Sequence, residues 1–143
     1  MIRVTRKYRF SASHRLHTTV LSDAENAAVY GKCNNPYGHG HDYEIEVSAR
    51  GPLQPGSGRV IDPTALDRLV EAHVLRAFDH KYLNTDTAAF QHLVPTTENL
   101  ALEIYARLRA GWNSAFPGPW PVLDKVRIAE TPRNIFEVSE ING

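Results

Sequence analysis

The residues of this chain best suited to chemistry fall in the stretch GKCNNPYGHGHDYEIEV, residues 31–47, which holds the only cysteine, Cys33, and then His39 and His41 two positions apart. Side chains alternate across a strand with period two, so imidazoles at i and i+2 share a face and can converge on one ion or ligand. Gly40 between them is expected to leave room for that guest. An H-x-H pair needs a third ligand to define a metal site, and that ligand must point the same way from elsewhere in the chain.

The elements that must carry these residues can be read from periodicity. From Ile2 to His14 the even positions Ile2, Val4, Tyr8, Phe10 and Ala12 form an apolar face interrupted by Arg6, which predicts a strand with His14 in phase with its buried side. Beyond Cys33, the residues His39, His41, Tyr43, Ile45 and Val47 share one face, and Asp42, Glu44, Glu46 and Ser48 the other, as in a half-buried antiparallel strand. Between these strands, Ser22 and Glu25 stand at capping-box spacing and Gly31 at a helix stop, predicting a short surface helix. The CNNPYG loop that follows puts Cys33 on an accessible turn. The turn GPLQPGSG predicts that RVI, residues 59–61, returns as a hairpin strand.

Asp62-Pro63 is a strong helix start, and Leu66, Leu69, Val70, His73, Val74 and Ala77 follow at helical spacing, with His73 read as a packing residue. Asp79 and His80 come where this helix ends. Pro95-Thr96-Thr97-Glu98 opens a second helix, with a threonine cap, a stripe of Leu100, Ile104 and Leu108, and Gly111 as its stop. Val122 to Glu130 alternates again, Glu130 continuing the apolar face of Val126 and Ile128, where an ionised carboxylate requires a partner. IFEVSEI is read as a last strand. The whole predicts an α+β fold, an antiparallel sheet with two helices on one face.

At 143 residues the chain is expected to form one domain over residues 1–143. Sixteen basic residues balance sixteen acidic ones, which gives neither a nucleic-acid footprint nor attraction to an anionic membrane. A single cysteine excludes an intramolecular disulfide framework, MIRVTRKYRF lacks the apolar region of a signal peptide, and no run has the roughly 18 to 20 apolar residues of a membrane span. A cytoplasmic enzyme or binding protein is expected.

FSASHRL, LSDAEN, GKCNNPYGHGHDY, FDHKYL, PTTEN and the ET of IAETPRN, in this order and at these separations, closely resemble the 6-pyruvoyl-tetrahydropterin synthase family nearly from end to end. The resemblance implies that His14, His39 and His41 bind Zn2+, leaving a coordination position open for substrate oxygens. It implies that Cys33 is the catalytic base, assisted by Asp79 and His80 from a neighbouring subunit. Glu130 would anchor the pterin ring, with Thr96 and Thr97 close by. The implied fold is the tunnelling fold, in which three subunits close their four-stranded antiparallel sheets, each with two helices on one face, into a barrel and two such rings stack as a homohexamer.

The implied reaction converts 7,8-dihydroneopterin triphosphate to 6-pyruvoyl-tetrahydropterin with elimination of triphosphate, a carbon–oxygen lyase step. Two rival functions are the 6-carboxy-tetrahydropterin synthase of queuosine biosynthesis and a non-catalytic zinc-stabilised pterin-binding oligomer. The five-residue gap between Cys33 and His39 fits the pyruvoyl-forming branch. Asp42 stands where the family commonly has Asn, on the strand face opposite the ligands. Arg15, Lys32 and Lys81 are the nearby candidates for holding triphosphate.

Overall fold

A computed structural model of the chain describes residues 1–140 and shows the predicted α+β architecture with one more strand than expected. Strands β1 (Ile2–His14) and β2 (His39–Gly51) pair antiparallel along their whole length, from Ile2 opposite Gly51 to His14 opposite His39. Strand β4 (Val122–Thr131) adds to β2, and β5 (Asn134–Ser139) to β4, both antiparallel. The extra strand, β3 (Lys81–Tyr82), lies parallel to Ala12 and Ser13 of β1, giving the order β3-β1-β2-β4-β5. Two residues are too few to show a period, which is why this strand is not legible beforehand. The end of the expected last strand, Ile141, lies outside the described residues.

The expected hairpin strand at residues 59–61 does not form. Gln54 N–H donates to the Arg59 carbonyl to close a turn, and Val60 and Ile61 are buried without joining the sheet. An apolar triplet satisfies the core equally well from a coil, and both edges of β2 are already taken, by β1 and β4.

One face of the sheet carries the core. Phe10 and Ala12 of β1, Tyr43, Ile45 and Val47 of β2, and Val126 and Ile128 of β4 are all buried. A bulge opposite Ser48 and Ala49 sets Asp124 aside as an extra residue, so Leu123 returns to the buried face out of phase with Val126. Arg6, the interruption in the β1 pattern, finds a partner: its guanidinium binds the Asp67 carboxylate through Nε at 2.8 Å and Nη2 at 2.9 Å, and Tyr8 Oη donates to the same carboxylate at 2.6 Å.

Helix α1 (Asp23–Tyr30) begins at a capping box of Ser22 and Glu25 and stops at Gly31, where φ is +54°, as its sequence predicts. Helix α2 (Pro63–Val70) is capped by Asp62, then widens into a π-helical turn (Glu71–Leu75) before the last turn, α3 (Arg76–Phe78). The wide turn holds more residues per revolution than an α-helix, which keeps the four-residue series Leu66, Val70, Val74 and Phe78 on the core face. A short helix, α4 (Leu83–Asp86), follows β3.

Helix α5 (Thr97–Ala115) runs past Gly111, the expected stop. Gly111 instead permits close approach of α2: a Cβ there would lie 2.8 Å from His73 Nε2 and 3.0 Å from Leu69 Cδ1. His73 thus lies against Gly111, but it is exposed and not buried with the apolar residues of its helix as expected. Beyond Gly111, Trp112 is buried and donates Nε1–H to the Pro121 carbonyl, which holds the last turn in place. Among the described residues no helix is long and apolar enough to cross a membrane.

Candidate metal and substrate site

The full pairing of β1 and β2 assembles the site. His14 and His39 are directly opposite each other and His41 is opposite Ala12, so alternation puts all three imidazoles on the core face at one end of the sheet. The rings of His14 and His41 have centroids 5.0 Å apart, and those of His39 and His41 4.6 Å, both edge to face. His14 is fully buried, His41 nearly so, and His39 exposed at the rim. Gly40 does not separate the rings as expected. By the same alternation it faces the other side of the sheet, where no atom lies within 4 Å of the position its Cβ would take.

Glu130 reaches the imidazoles from β4. Its Oε2 accepts a 2.8 Å hydrogen bond from the Thr97 hydroxyl, and its Oε1 lies 2.9 Å from His41 Nε2 and 3.9 Å from His14 Nε2. The 2.9 Å contact is close enough for a hydrogen bond but poorly directed. The Nε2 atoms of both His14 and His41 are therefore buried without a hydrogen-bond partner. Proximity to His41 holds the Glu130 carboxyl below the usual carboxylate range, against an opposing effect of burial and with help from the Thr97 hydroxyl.

His14 is oriented through its other nitrogen. Nδ1 is 2.9 Å from the Pro95 carbonyl, an acceptor only, so Nδ1 carries the proton and the Nε2 lone pair faces Glu130. Burial keeps this imidazole below its ordinary range, which preserves the lone pair. Pro95 immediately precedes Thr96, whose hydroxyl caps α5 by accepting from Asn99 N–H, so one short segment orients His14, starts the helix and delivers Thr97 to Glu130. Thr96 itself serves as a cap. Tyr43, two residues beyond His41 on the same face, is also buried, with its hydroxyl 3.4 Å from His14 Nδ1. Its phase made it visible in the sequence, but a buried tyrosine in an apolar run reads as core.

Cys33 lies in a 3-10 turn (Gly31–Asn34) and is half-buried. Its sulfur, the His14 and His41 nitrogens and a Glu130 oxygen all lie within 4.8 Å of one another. This nitrogen, sulfur and oxygen set is one that zinc accepts, and two buried imidazole nitrogens without a hydrogen-bond partner are what a metal would satisfy. His39 stands beside that group and not in it. Burial, and then the charge of Glu130, push the Cys33 thiol up, so in the isolated chain it rests protonated.

Asp79 and His80 form a pair of their own. His80 Nδ1 is 2.9 Å from Asp79 Oδ1, which also accepts from Ser11 N–H at 3.0 Å. His80 has φ of +59° and is largely exposed, and it lines a cavity of about 510 Å³ with Ser11, Ser13, Asp42 and Tyr82. Ser11, Ser13 and Asp42 belong to the sheet face opposite the imidazoles, so within one chain the pair is not part of the cluster around Cys33.

Comparison with known proteins places the chain in a family. A family model described as 6-pyruvoyl tetrahydropterin synthase matches residues 3–140. The 6-pyruvoyl tetrahydrobiopterin synthase of Poecilia reticulata is 46% identical over 132 residues, 92% of this chain and 86% of that protein. The Homo sapiens protein of the same name is 42% identical over 132 residues, 92% of this chain and 87% of the relative. The solved structure of Caenorhabditis elegans 6-pyruvoyl tetrahydropterin synthase superposes with a TM-score of 0.87 at 42% identity, covering 98% of this chain and 96% of that one.

Proposed function

This chain belongs to the 6-pyruvoyl tetrahydropterin synthase family, and from that premise we propose that it is a zinc-dependent lyase converting 7,8-dihydroneopterin triphosphate to 6-pyruvoyl-tetrahydropterin and triphosphate. The observation that carries the reading is the pair of buried, unpartnered Nε2 atoms of His14 and His41, facing a thiol and a carboxylate. His39, opposite His14 in the sheet, completes the imidazole set that would hold the ion. The zinc would act as a Lewis acid toward the side-chain oxygens of the substrate and make the neighbouring C–H bonds acidic.

The remaining steps belong to the residues of the chain. Glu130, steadied by Thr97, presents a carboxylate to the adjacent ring N–H and amino group of the pterin, two parallel donors that match two oxygens. Cys33 takes the side-chain proton. The electron pair of that C–H bond, beside the ring, moves into the pterin ring, which takes up two protons; loss of a second proton from the next side-chain carbon expels triphosphate with the electrons of its C–O bond, and tautomerisation of the enols to ketones completes an internal redox change without an external oxidant.

The raised thiol needs help to act as a base. Asp79 orients His80 through Nδ1, which leaves Nε2 free to accept a proton. Both residues are displayed outward, and a second copy of the chain would bring them to the Cys33 of its neighbour. A homohexamer of two stacked trimers, with sheets joined edge to edge, meets that need and covers the open edge of β5. The cytoplasm is the proposed location.

Incubation of the zinc-loaded protein with dihydroneopterin triphosphate, with the pterin identified by mass, tests the reading. A pyruvoyl product is expected; a carboxy product or unchanged substrate refutes it. Cys33→Ala should abolish turnover with zinc content and fold unchanged, and an active alanine variant would remove Cys33 from its role.

A further inference from the structure

The residue that follows His14 is gripped from two sides. Arg15 donates its backbone N–H to Asn84 Oδ1 at 2.8 Å, and its carbonyl accepts from Asn84 Nδ2 at 2.7 Å. One amide side chain thus satisfies both backbone groups of one residue, as a neighbouring strand would. On the other side stands the turn that carries the thiol. Leu16 N–H donates to the Cys33 carbonyl at 2.7 Å, Asn34 Nδ2 to the Leu16 carbonyl at 2.8 Å, and Arg15 Nε to the Asn34 carbonyl at 3.2 Å.

These bonds begin where β1 ends, at His14, and no strand pairing holds Arg15 or Leu16. The Cys33 turn is therefore docked on a segment that owes its own placement to Asn84. That residue stands on a firm base. Leu83 beside it is fully buried, and the buried Thr87 donates its hydroxyl to the Leu83 carbonyl at 2.6 Å.

We infer that Asn84 is a positioning residue for the thiol: by holding Arg15 it fixes the strand end against which the Cys33 turn packs, and so sets the sulfur relative to the Nε2 atoms of His14 and His41. It is outside the donor cluster and acts through Arg15 and Leu16. The kinetic part of the inference rests on the proposed lyase reaction; the thiol's placement does not.

The test uses full-length Asn84→Ala and Asn84→Asp. Displacement of a reacting group by about 1 Å costs up to about 100-fold, so Asn84→Ala should lower kcat by about 10- to 100-fold with KM changed less than about threefold and zinc content unchanged. The single cysteine permits a second readout free of turnover, in which iodoacetamide should label Cys33 of metal-free Asn84→Ala several times faster than the wild type at one pH. Asn84→Asp keeps the acceptor for Arg15 N–H, sets a second oxygen against the Arg15 carbonyl, and should fall between the two in both assays.

A purely structural role predicts a lower Tm with kcat and labelling rate within about twofold of wild type, and that result overturns the inference, as does loss of zinc in step with activity or failure of both variants to fold. If the wild-type protein makes no pyruvoyl product, the proposed function falls, and the labelling comparison still decides the role of Asn84.

Discussion

Glu130→Gln is the most discriminating single change at the site, because it keeps the shape of the side chain and removes its charge. Thr97 can still donate to the remaining carbonyl oxygen, so the side chain should hold its place. The pterin would then meet one acceptor and one amide donor where it had met two carboxylate oxygens. A hydrogen bond to a charged group contributes about 1.5–3 kcal/mol, and the opposed donors add to the loss. A net penalty of about 2–3 kcal/mol corresponds to roughly 30- to 140-fold weaker binding. Titration of zinc-loaded wild type and Glu130→Gln with 7,8-dihydroneopterin, the substrate without its phosphates, measures this directly.

The same variant makes a second, independent prediction about the thiol. The negative charge of Glu130 is a secondary cause of the raised Cys33 thiol, after burial. Removing it favours the thiolate, so the pH profile of Cys33 alkylation in metal-free protein should move to lower pH without reaching that of a free thiol, since burial remains. Binding within threefold of wild type, or an alkylation profile that moves to higher pH, would refute the placement of Glu130 as a charged anchor facing the thiol.

Removal of zinc by a chelator should abolish turnover while the far-ultraviolet circular dichroism stays native, because the core of Phe10, Ile45, Leu66, Phe78, Leu100 and Ile104 is buried independently of the site; unfolding on chelation would make the metal structural. The Arg6 guanidinium beside Asp67 holds that carboxyl below its usual range, so its stabilising effect is complete above the unfolded carboxylate range and disappears as pH falls through the lower folded value. With both side chains substantially exposed the contribution is at most about 1 kcal/mol. Asp67→Asn should therefore lower Tm slightly at neutral pH and leave it unchanged in strong acid, and a Tm difference that grows on acidification would reverse the argument.

What was legible in the sequence follows the length of each pattern. The two thirteen-residue strands carry enough alternation to place His14, His39 and His41 on one face, and the phase of β4 marked Glu130 as a buried-face carboxylate. The Ser22 capping box and the Asp62-Pro63 start were legible because a cap is chemistry within a few residues. The approach of Cys33 to Glu130 joins residues about two-thirds of the chain apart, and no local period encodes it; only the family resemblance suggested it. Gly111 misled because a glycine chosen for close helix packing has the same letter as one that ends a helix. The two-residue β3 and the Asn84 bridge to Arg15 depend on tertiary placement, which periodicity does not report.

The uninterrupted register between β1 and β2 has a consequence for how this family can change its length. No tight turn joins the two strands; a long segment containing α1 and the cysteine does, so the pairing is chosen by the side chains themselves. A residue gained or lost within residues 17–22, beyond the Arg15–Leu16 segment that carries the Cys33 turn, leaves the three imidazoles where they are. The same event inside either strand rotates every later side chain to the opposite face, sending ligands to solvent and charges to the core at one stroke. Insertions and deletions compatible with an intact ligand set are thereby confined to the connections, and a library of loop lengths between Leu16 and α1 is the natural route to altering what the site admits.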